Sequence, residues 1–259
     1  VKTGNDDDKV TTGAGWVELV STGDGNDLVK VGSGGAVVWL GGGDDTIRLD
    51  EMTPDSGVSV NGSRGVDTLD FSPFKSGVTF DLNDHGWQDV SPSASGGKGF
   101  VAQLGMENIT GTNKADTLTG DQGANVLKGR NGNDKLAAGD SDDRLDGGGG
   151  KDRLNGDAGS DTLIGGKGND ILNGGGDNDV LRGNGGMDVF VFGADSGTDR
   201  VIDYADGIDT LRLVGHTGGF DDLTFTKMGK DMHVDHDGGV IVLVGDGGVK
   251  LTATDFDFV

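Results

Sequence analysis

Aspartates that recur every nine residues are the side chains of this sequence with the clearest capacity for chemistry. Nine consecutive nine-residue units fill residues 111–191, with glycine dominant at positions one, two and four of each unit. Position six is an acid or its amide: Asp116, Asn125, Asp134, Asp143, Asp152, Asp161, Asp170, Asp179 and Asp188. Position eight is apolar: Leu118, Leu127, Leu136, Leu145, Leu154, Leu163, Leu172, Leu181 and Phe190. A short fixed period predicts a stack of identical structural units.

Each unit has a turn half and a strand half. Glycine adopts the φ > 0 conformations of successive tight turns at little cost, and the last three residues place one apolar side chain inward. Two units in series would close a flattened coil of about 18 residues, and coils would stack about 4.8 Å apart. We therefore predict an all-β parallel solenoid, with Asp134 beside Asp152, Asp143 beside Asp161, and Asp152 beside Asp170.

Such a stack needs a stabilising partner for its carboxylates. Each coil buries only two leucine-like side chains, and facing carboxylates repel by about 3 kcal/mol per pair at ~5 Å and an effective dielectric of ~20. A divalent cation between coils would reverse the sign of that term. Carboxylate and turn carbonyl oxygens are hard donors that suit Ca²⁺ with six to eight ligands better than Mg²⁺. We infer that calcium is part of the fold.

The units match the pattern G-G-x-G-x-D-x-U-x, so residues 111–191 resemble the RTX (hemolysin-type) calcium-binding nonapeptide repeats of parallel β-rolls. The resemblance implies Ca²⁺ between adjacent turns, held by position-six carboxylates and by backbone carbonyls of positions two and four. The implied carbonyls belong to Gly132, Gly139, Gly148, Gly150, Gly159, Gly166, Gly168, Gly175 and Gly186. The departures are Asn125 at position six, Lys114, Ser141 and Asp177 at position four, and Arg130 at position two, whose role is open.

Residues 1–50 carry a degenerate version of the repeat. Position six alternates between acidic and apolar residues in the order Asp8, Val17, Asp27, Ala36, Asp45. In a two-unit coil this order places the acids on one edge, so we predict calcium sites at Asp8/Asp27 and Asp27/Asp45 and apolar stacking on the other edge. With the sites of the main block, roughly nine Ca²⁺ would offset most of the formal net charge of −23.

The remaining segments break the period. Residues 51–110 predict irregular, wider coils with a loop-out, and residues 192–259 predict an antiparallel β cap with a hairpin around residues 237–239. The cap resembles the C-terminal region of RTX proteins. Its last residues resemble the acidic-then-aromatic ending that type I secretion systems recognise: Asp255, Phe256, Asp257, Phe258 and Val259.

Three apolar residues are candidates for a contact surface. Trp39 stands at an outward position, Val20 is expected beside it one coil earlier, and Trp87 lies in the loop-out at 83–99. A glycan or protein could bind there. Alternatively, the insertion after residue 50 covers Trp39, and Trp87 packs within a solvated turn.

Composition limits the remaining functions. The charge of −23 makes nucleic acid an improbable partner, and no apolar run approaches the ~18 residues of a membrane span. We find no nucleophile elbow, P-loop or H-E-x-x-H motif, and His233 and His236 would point to opposite faces of a strand, so we expect no enzyme activity. The sequence begins without a visible leader, and we expect it to be the C-terminal part of a longer polypeptide.

Three functions remain open. The first is a secreted, extracellular calcium-binding module that folds on Ca²⁺ after type I secretion and stabilises a larger protein. The second is an adhesin, matrix or surface-layer segment. The third is the accessory region of a secreted carbohydrate-active enzyme or protease.

Overall fold

A computed structural model describes residues 1–15, 18–50, 56–90, 99–194, 196–245 and 248–259. The regular secondary structure of these residues is β-strand apart from two short 3₁₀ turns, at Phe220–Asp222 and Ala253–Asp255. Neither of these described helices is long or apolar enough to cross a membrane. The predicted parallel solenoid with coils of about 18 residues is confirmed. Val17 and residues 91–98 of the 83–99 loop-out lie outside the described residues.

The chain divides into two compact units. The first comprises residues 1–121 and 125–130, and the second comprises residues 122–124 and 131–259.

Three groups of strands build the first unit. One parallel sheet contains β1 (Lys9–Thr11), β3 (Leu28–Val31), β5 (Thr46–Leu49), β7 (Thr68–Asp70), β11 (Asn108–Thr110) and β13 (Val126–Asn131). A second sheet contains β2 (Glu18–Asp24), β4 (Ala36–Gly42), β6 (Gly57–Arg64), β10 (Phe100–Leu104) and, antiparallel at its edge, β9 (Gln88–Asp89). Strand β8 (Thr79–Asp81) pairs in parallel with β12 (Thr117–Thr119).

Two sheets build the second unit. One is parallel and contains β14 (Lys135–Asp140), β16 (Arg153–Ala158), β18 (Ile171–Gly176), β20 (Val189–Phe192), β22 (Thr210–Leu213) and β26 (Phe256–Phe258). The other contains β15 (Arg144–Gly149), β17 (Thr162–Lys167), β19 (Val180–Gly185), β21 (Gly197–Val201), β25 (Gly239–Leu243), β24 (Asp231–His236) and β23 (Thr224–Met228). The last three strands form the predicted antiparallel cap.

The regular coils of the second unit bury two rows of single apolar side chains. Leu136, Leu154, Leu172 and Phe190 are in register on one sheet, and Leu211 continues that row into the cap. The other row contains Leu145, Leu163, Leu181 and Val201. All are buried. Because each coil contributes one side chain to each row, the interior is thin, as the nine-residue period predicts.

Left-handed backbone conformations shape the turns between strands. Gly148, Gly150, Gly166 and Gly168 all have positive φ, between 97° and 143°. Ser141 and Asp177 keep this conformation at position four, with φ of 78° and 71°, although a side chain makes it less favourable. Lys114, at position four of the first repeat, does not have a positive φ, so the turn of that repeat differs from the turns at Ser141 and Asp177.

Replacing a turn glycine should therefore destabilise the stack. In Gly150→Ala the new Cβ would overlap the carbonyl oxygen of Gly132 at a φ of 143°, and we expect a loss of about 2 kcal/mol or more. Gly185→Ala is the matched control, because a Cβ there would meet no atom within 4 Å. Thermal unfolding in saturating Ca²⁺ measures both variants, and equal melting temperatures would contradict the packing described here.

Candidate metal centres

The position-six aspartates of the second unit form two hydrogen-bonded ladders along the stack. In the first ladder the Asp134 N–H donates to Asp152 Oδ1 (2.8 Å), the Asp152 N–H to Asp170 Oδ1 (2.9 Å), and the Asp170 N–H to Asp188 Oδ1 (2.9 Å). In the second ladder Asp143 donates to Asp161 and Asp161 to Asp179, both at 2.8 Å. The structure thus brings together the aspartates that the 18-residue spacing pairs.

Both ladders extend beyond the residues that the sequence predicted. The Asp179 N–H donates to Asp199 Oδ1 (3.0 Å), and the Asp188 N–H donates to Asp209 Oδ1 (2.9 Å). Both acceptors are buried. Sequence analysis missed them because the steps are 20 and 21 residues long, although each acid stands two residues before a buried apolar residue, Val201 or Leu211.

The first unit carries a third ladder, the N-terminal ladder. The Asp8 N–H donates to Asp27 Oδ1 (2.8 Å), Asp27 to Asp45 (2.7 Å), and Asp45 to Asp67 (2.9 Å). The predicted acids therefore do lie along one edge. Asp67 was not among the predicted ligands, although its unit is recognisable as a repeat. On the alternate edge Ala36 and Val38 are buried, which is consistent with apolar stacking.

Each ladder leaves buried carboxylate oxygens without a protein partner. While Oδ1 accepts a backbone N–H, Oδ2 has no hydrogen-bond partner within the described chain at seven aspartates: Asp27, Asp45, Asp67, Asp152, Asp161, Asp170 and Asp179. All seven are at most 2% exposed. A buried, unsatisfied polar atom costs about 1–3 kcal/mol and more when charged, so these oxygens require a ligand or a proton.

The pKa values of these carboxylates reflect the same burial. Desolvation raises the pKa of Asp161 and Asp170 to about 6 and that of Asp179 to about 7. Backbone hydrogen bonds from the preceding coil oppose the shift, and neighbouring carboxylates add to it. Asp45, Asp188 and Asp199 reach about 6 for the same principal reason.

Backbone carbonyls lie close to the turn glycines between coils. A Cβ on Gly166 would overlap the carbonyl oxygen of Gly148, and one on Gly168 would overlap that of Gly150. A Cβ on Gly165 would lie 2.6 Å from Asp170 Oδ2. Carboxylate and carbonyl oxygens therefore both point at the same glycine turns. There is room for these oxygens because glycine has no side chain.

This set of donors fits Ca²⁺. No three His, Cys, Asp or Glu side chains of the described ranges converge on one point, so a cation here must take most of its ligands from carbonyls. Oxygen-only, flexible coordination suits calcium rather than a transition metal. The residues that would hold it are the ladder aspartates with the turn carbonyls, and a bound ion would supply the positive charge that the buried oxygens require.

Two predicted ligands have different surroundings. Asp116 accepts hydrogen bonds from the N–H groups of Val78 (2.7 Å) and Thr112 (2.6 Å) and from the Thr112 hydroxyl (3.0 Å). Burial raises its pKa, and the guanidinium of Arg130 opposes that rise. Asn125 Nδ2 donates to the Glu107 carbonyl (2.7 Å) and to Asp121 Oδ1 (3.2 Å). Asp116 therefore has donors on both carboxylate oxygens, whereas ladder aspartates such as Asp152 and Asp161 have one only on Oδ1.

The predicted Val20/Trp39 patch is wrong for Val20. Val20 is fully buried and pairs with Val38, whereas Trp39 pairs with Ser21 and is 52% exposed. Trp87 is also exposed, and it lines an open groove of about 400 Å³ with Ser56, Gly57 and Phe100.

The five C-terminal residues belong to the folded cap. Asp255 is buried and accepts hydrogen bonds from the Thr252 N–H (2.7 Å) and the Tyr204 hydroxyl (3.2 Å). Asp257 pairs with the Arg212 Nε at 2.7 Å. Phe256–Phe258 is a strand alongside Leu211–Leu213, and the Val259 carbonyl accepts the Gly215 N–H (2.7 Å).

Comparison with known families agrees with this geometry. A family model of the RTX calcium-binding nonapeptide repeat, in four copies, matches residues 20–51, 103–136, 110–145, 129–163, 155–190 and 164–200. These matches together span about half of the chain. The chain therefore belongs to the family of RTX calcium-binding repeat proteins.

Among solved structures, the chain is similar to the extracellular lipase LipA of Serratia marcescens, with 18% identity and a TM-score of 0.30. The match covers 92% of this chain but only 40% of the lipase. The AlgE6R3 subunit of the Azotobacter vinelandii mannuronan C5-epimerase is 23% identical over 52% of this chain and 80% of that subunit, with a TM-score of 0.22. A search of curated proteins finds no match.

Removing one ladder charge should weaken calcium binding. Asp152 both accepts from the Asp134 N–H and donates to Asp170, so it adjoins two inter-coil spaces. Asp152→Asn keeps an acceptor oxygen but loses the charge, and we expect a calcium affinity lower by about tenfold or more with a shallower titration. Asp140→Asn, at an exposed position of β14, is the control. An unchanged calcium titration of Asp152→Asn would contradict the assignment.

Acid should partly replace calcium. The folded-state pKa of Asp161 and Asp179 is raised, to about 6 and about 7, above the ordinary value of 3.8. The calcium-free fold therefore binds protons more tightly than the unfolded chain, and its stability is lost as pH rises through 6–7. Far-UV circular dichroism in calcium-free buffer should show more β-structure at pH 5 than at pH 8.

The double variant Asp161→Asn/Asp179→Asn is the control for that pH dependence. It carries amides where the wild type titrates, so its calcium-free β-structure should change less between pH 8 and pH 5. If the wild type loses structure on acidification, the described burial of these carboxylates is wrong.

Proposed function

We propose that this chain is the C-terminal region of a larger extracellular protein, exported through a type I secretion channel and folded by Ca²⁺ outside the cell. The single observation that carries the proposal is the set of buried ladder oxygens without a protein partner. A structure with such oxygens along both edges of its coils is stable only when a cation or protons neutralise them.

The charge of the chain supports a calcium-dependent folding step. The formal net charge of −23 favours an extended chain where calcium is scarce. Because a site formed by separate coils does not exist in the unfolded chain, the free energy of calcium binding contributes directly to folding. The chain would stay unfolded in the cytosol and condense at the millimolar calcium concentrations outside.

The C-terminal residues are consistent with an export signal that is accessible before folding. Asp255 and Phe256 are buried in the cap, and Asp257 pairs with Arg212. A secretion channel could contact the side chains of Asp255 and Phe256 only while the cap is unfolded. Folding outside the cell would then withdraw this segment into the last strand of the sheet.

An alternative function is that of an adhesin, matrix or surface-layer segment. The observation in its favour is the exposure of two tryptophans, Trp39 at 52% and Trp87 at 58%, on the first unit. Exposed indole rings are suited to stacking on sugar rings or on a protein partner. A role as the accessory region of a secreted carbohydrate-active enzyme or protease is a further alternative, and this chain spans 40% of the length of the lipase it matches.

Export and folding can be tested separately in one experiment. The full chain is co-expressed with a type I secretion apparatus, and the medium is assayed for the protein. We expect deletion of residues 255–259 to abolish export. Arg212→Ala is the control, since it removes the folded-state partner of Asp257 but leaves the terminal sequence intact. Its export should equal that of the wild type.

The purified wild type is then examined by far-UV circular dichroism at neutral pH. We expect little β-structure in EGTA, full β-structure in millimolar Ca²⁺, and no comparable response to Mg²⁺. Undiminished export of the deletion variant would contradict the secretion role. A protease-resistant fold in excess EGTA would contradict the calcium switch.

A further inference from the structure

The N-terminal ladder continues beyond Asp67 to a glutamate, across a step of 40 residues. The Asp67 N–H donates to Glu107 Oε2 at 2.7 Å, over 40 residues of sequence. The Asp67 carbonyl accepts the N–H groups of Glu107 (3.1 Å) and Asn108 (2.9 Å). Glu107 precedes buried Ile109 by two residues, as Asp67 precedes Leu69, and these two apolar residues are in register. Glu107 thus takes the place of a ladder aspartate.

Two oxygens from different coils meet at Gly62, next to the coil turn that contains Asp67. Asp67 is 1% exposed, and its Oδ2 has no hydrogen-bond partner among the residues described. A Cβ added at Gly62 would overlap both Asp67 Oδ2 and the carbonyl oxygen of Gly105. A carboxylate oxygen and a backbone carbonyl are therefore directed at the same glycine, as in the regular repeats of the second unit.

The described charged groups that shift the pKa values of Asp67 and Glu107 are all carboxylates. After burial, the carboxylates of Asp45, Glu107 and Asp44 raise the pKa of Asp67, to about 7. Burial also raises the pKa of Glu107, and Asp121 and Asp44 add to that rise. Backbone N–H groups are the groups that oppose these shifts. Within the described part of the chain, no cation is among the causes of either pKa shift.

We propose that Asp67 and Glu107 hold a Ca²⁺ ion at the base of the excursion formed by residues 71–106. This inference rests on calcium binding by the roll, but the nine-residue pattern does not contain the site. Asp67 Oδ2, the Glu107 carboxylate and the Gly105 carbonyl would be among its ligands. The site ties together two coils that are 40 residues apart in sequence and thereby closes the excursion that carries Trp87.

The test is to count bound calcium in Glu107→Gln. Native mass spectrometry at graded Ca²⁺ concentrations should show one ion fewer than in the wild type, or one ion bound at least about tenfold more weakly. Glu18→Gln is the matched control, because it makes the same chemical change in β2, away from the ladder. Glu107→Asp, which keeps the charge, should retain the full number of ions. An unchanged count and affinity in Glu107→Gln would overturn the proposal.

A second measurement does not depend on the folding of a variant. In crystals of the wild type grown with Ca²⁺, an anomalous peak about 2.3–2.6 Å from Asp67 Oδ2 and a Glu107 carboxylate oxygen supports the site. Peaks between the coils of residues 134–188 without one at Asp67/Glu107 would overturn this proposal and leave the calcium-dependent fold standing. Absence of peaks at both places would contradict the calcium-dependent fold itself.

Discussion

The rest of this structure depends on one repeated hydrogen bond. It joins the backbone N–H of one acid to the carboxylate of its counterpart in the next coil. It recurs from Asp134 to Asp152 and from Asp143 to Asp161 at 2.8 Å. The bond requires the carboxylate to enter the stack, where the side chain is buried. At Asp152 and Asp161, Oδ1 then accepts the backbone N–H, and Oδ2 is left without a hydrogen-bond partner within the described chain. The stacking of the coils and the capacity to hold a cation thus both follow from one side-chain position.

The glycine turns and the thin core follow from the same constraint. A carbonyl oxygen can approach the next coil closely only where that coil has no side chain. The Gly132 oxygen approaches Gly150 in this way. The apolar rows through Leu145 and Leu154 hold one side chain per coil, so hydrophobic burial alone contributes little per residue ordered. Stability must therefore come from neutralising the carboxylates, and each ladder acid lies between two inter-coil spaces, which favours cooperative folding.

The sequence predicted the regular ladders because a constant step of 18 residues leaves one possible pairing. It missed Asp67, Asp199, Asp209 and Glu107 because insertions lengthen those coils, while the backbone bond still selects an acid two residues before a buried apolar side chain. Val20 was misplaced for a related reason. Lys9 pairs with Leu28 at an offset of 19, but Glu18 pairs with Ala36 at 18. The extra residue lies between Thr11 and Glu18, and a slip of one residue exchanges the two faces of a strand.

These differences show that the length of a coil and the position of its ladder acid are independent in this fold. A coil can lengthen by two residues before Asp199 or by more than twenty before Glu107, provided that the acid returns to the ladder and the next apolar residue returns to the row. The chain leaves the stack after one hydrogen-bonded acid and re-enters it at the next. Insertions between the two acids are tolerated for this reason. The groove beside Trp87 lies on such an excursion, so a surface for a partner can vary while the ladder that supports it stays the same.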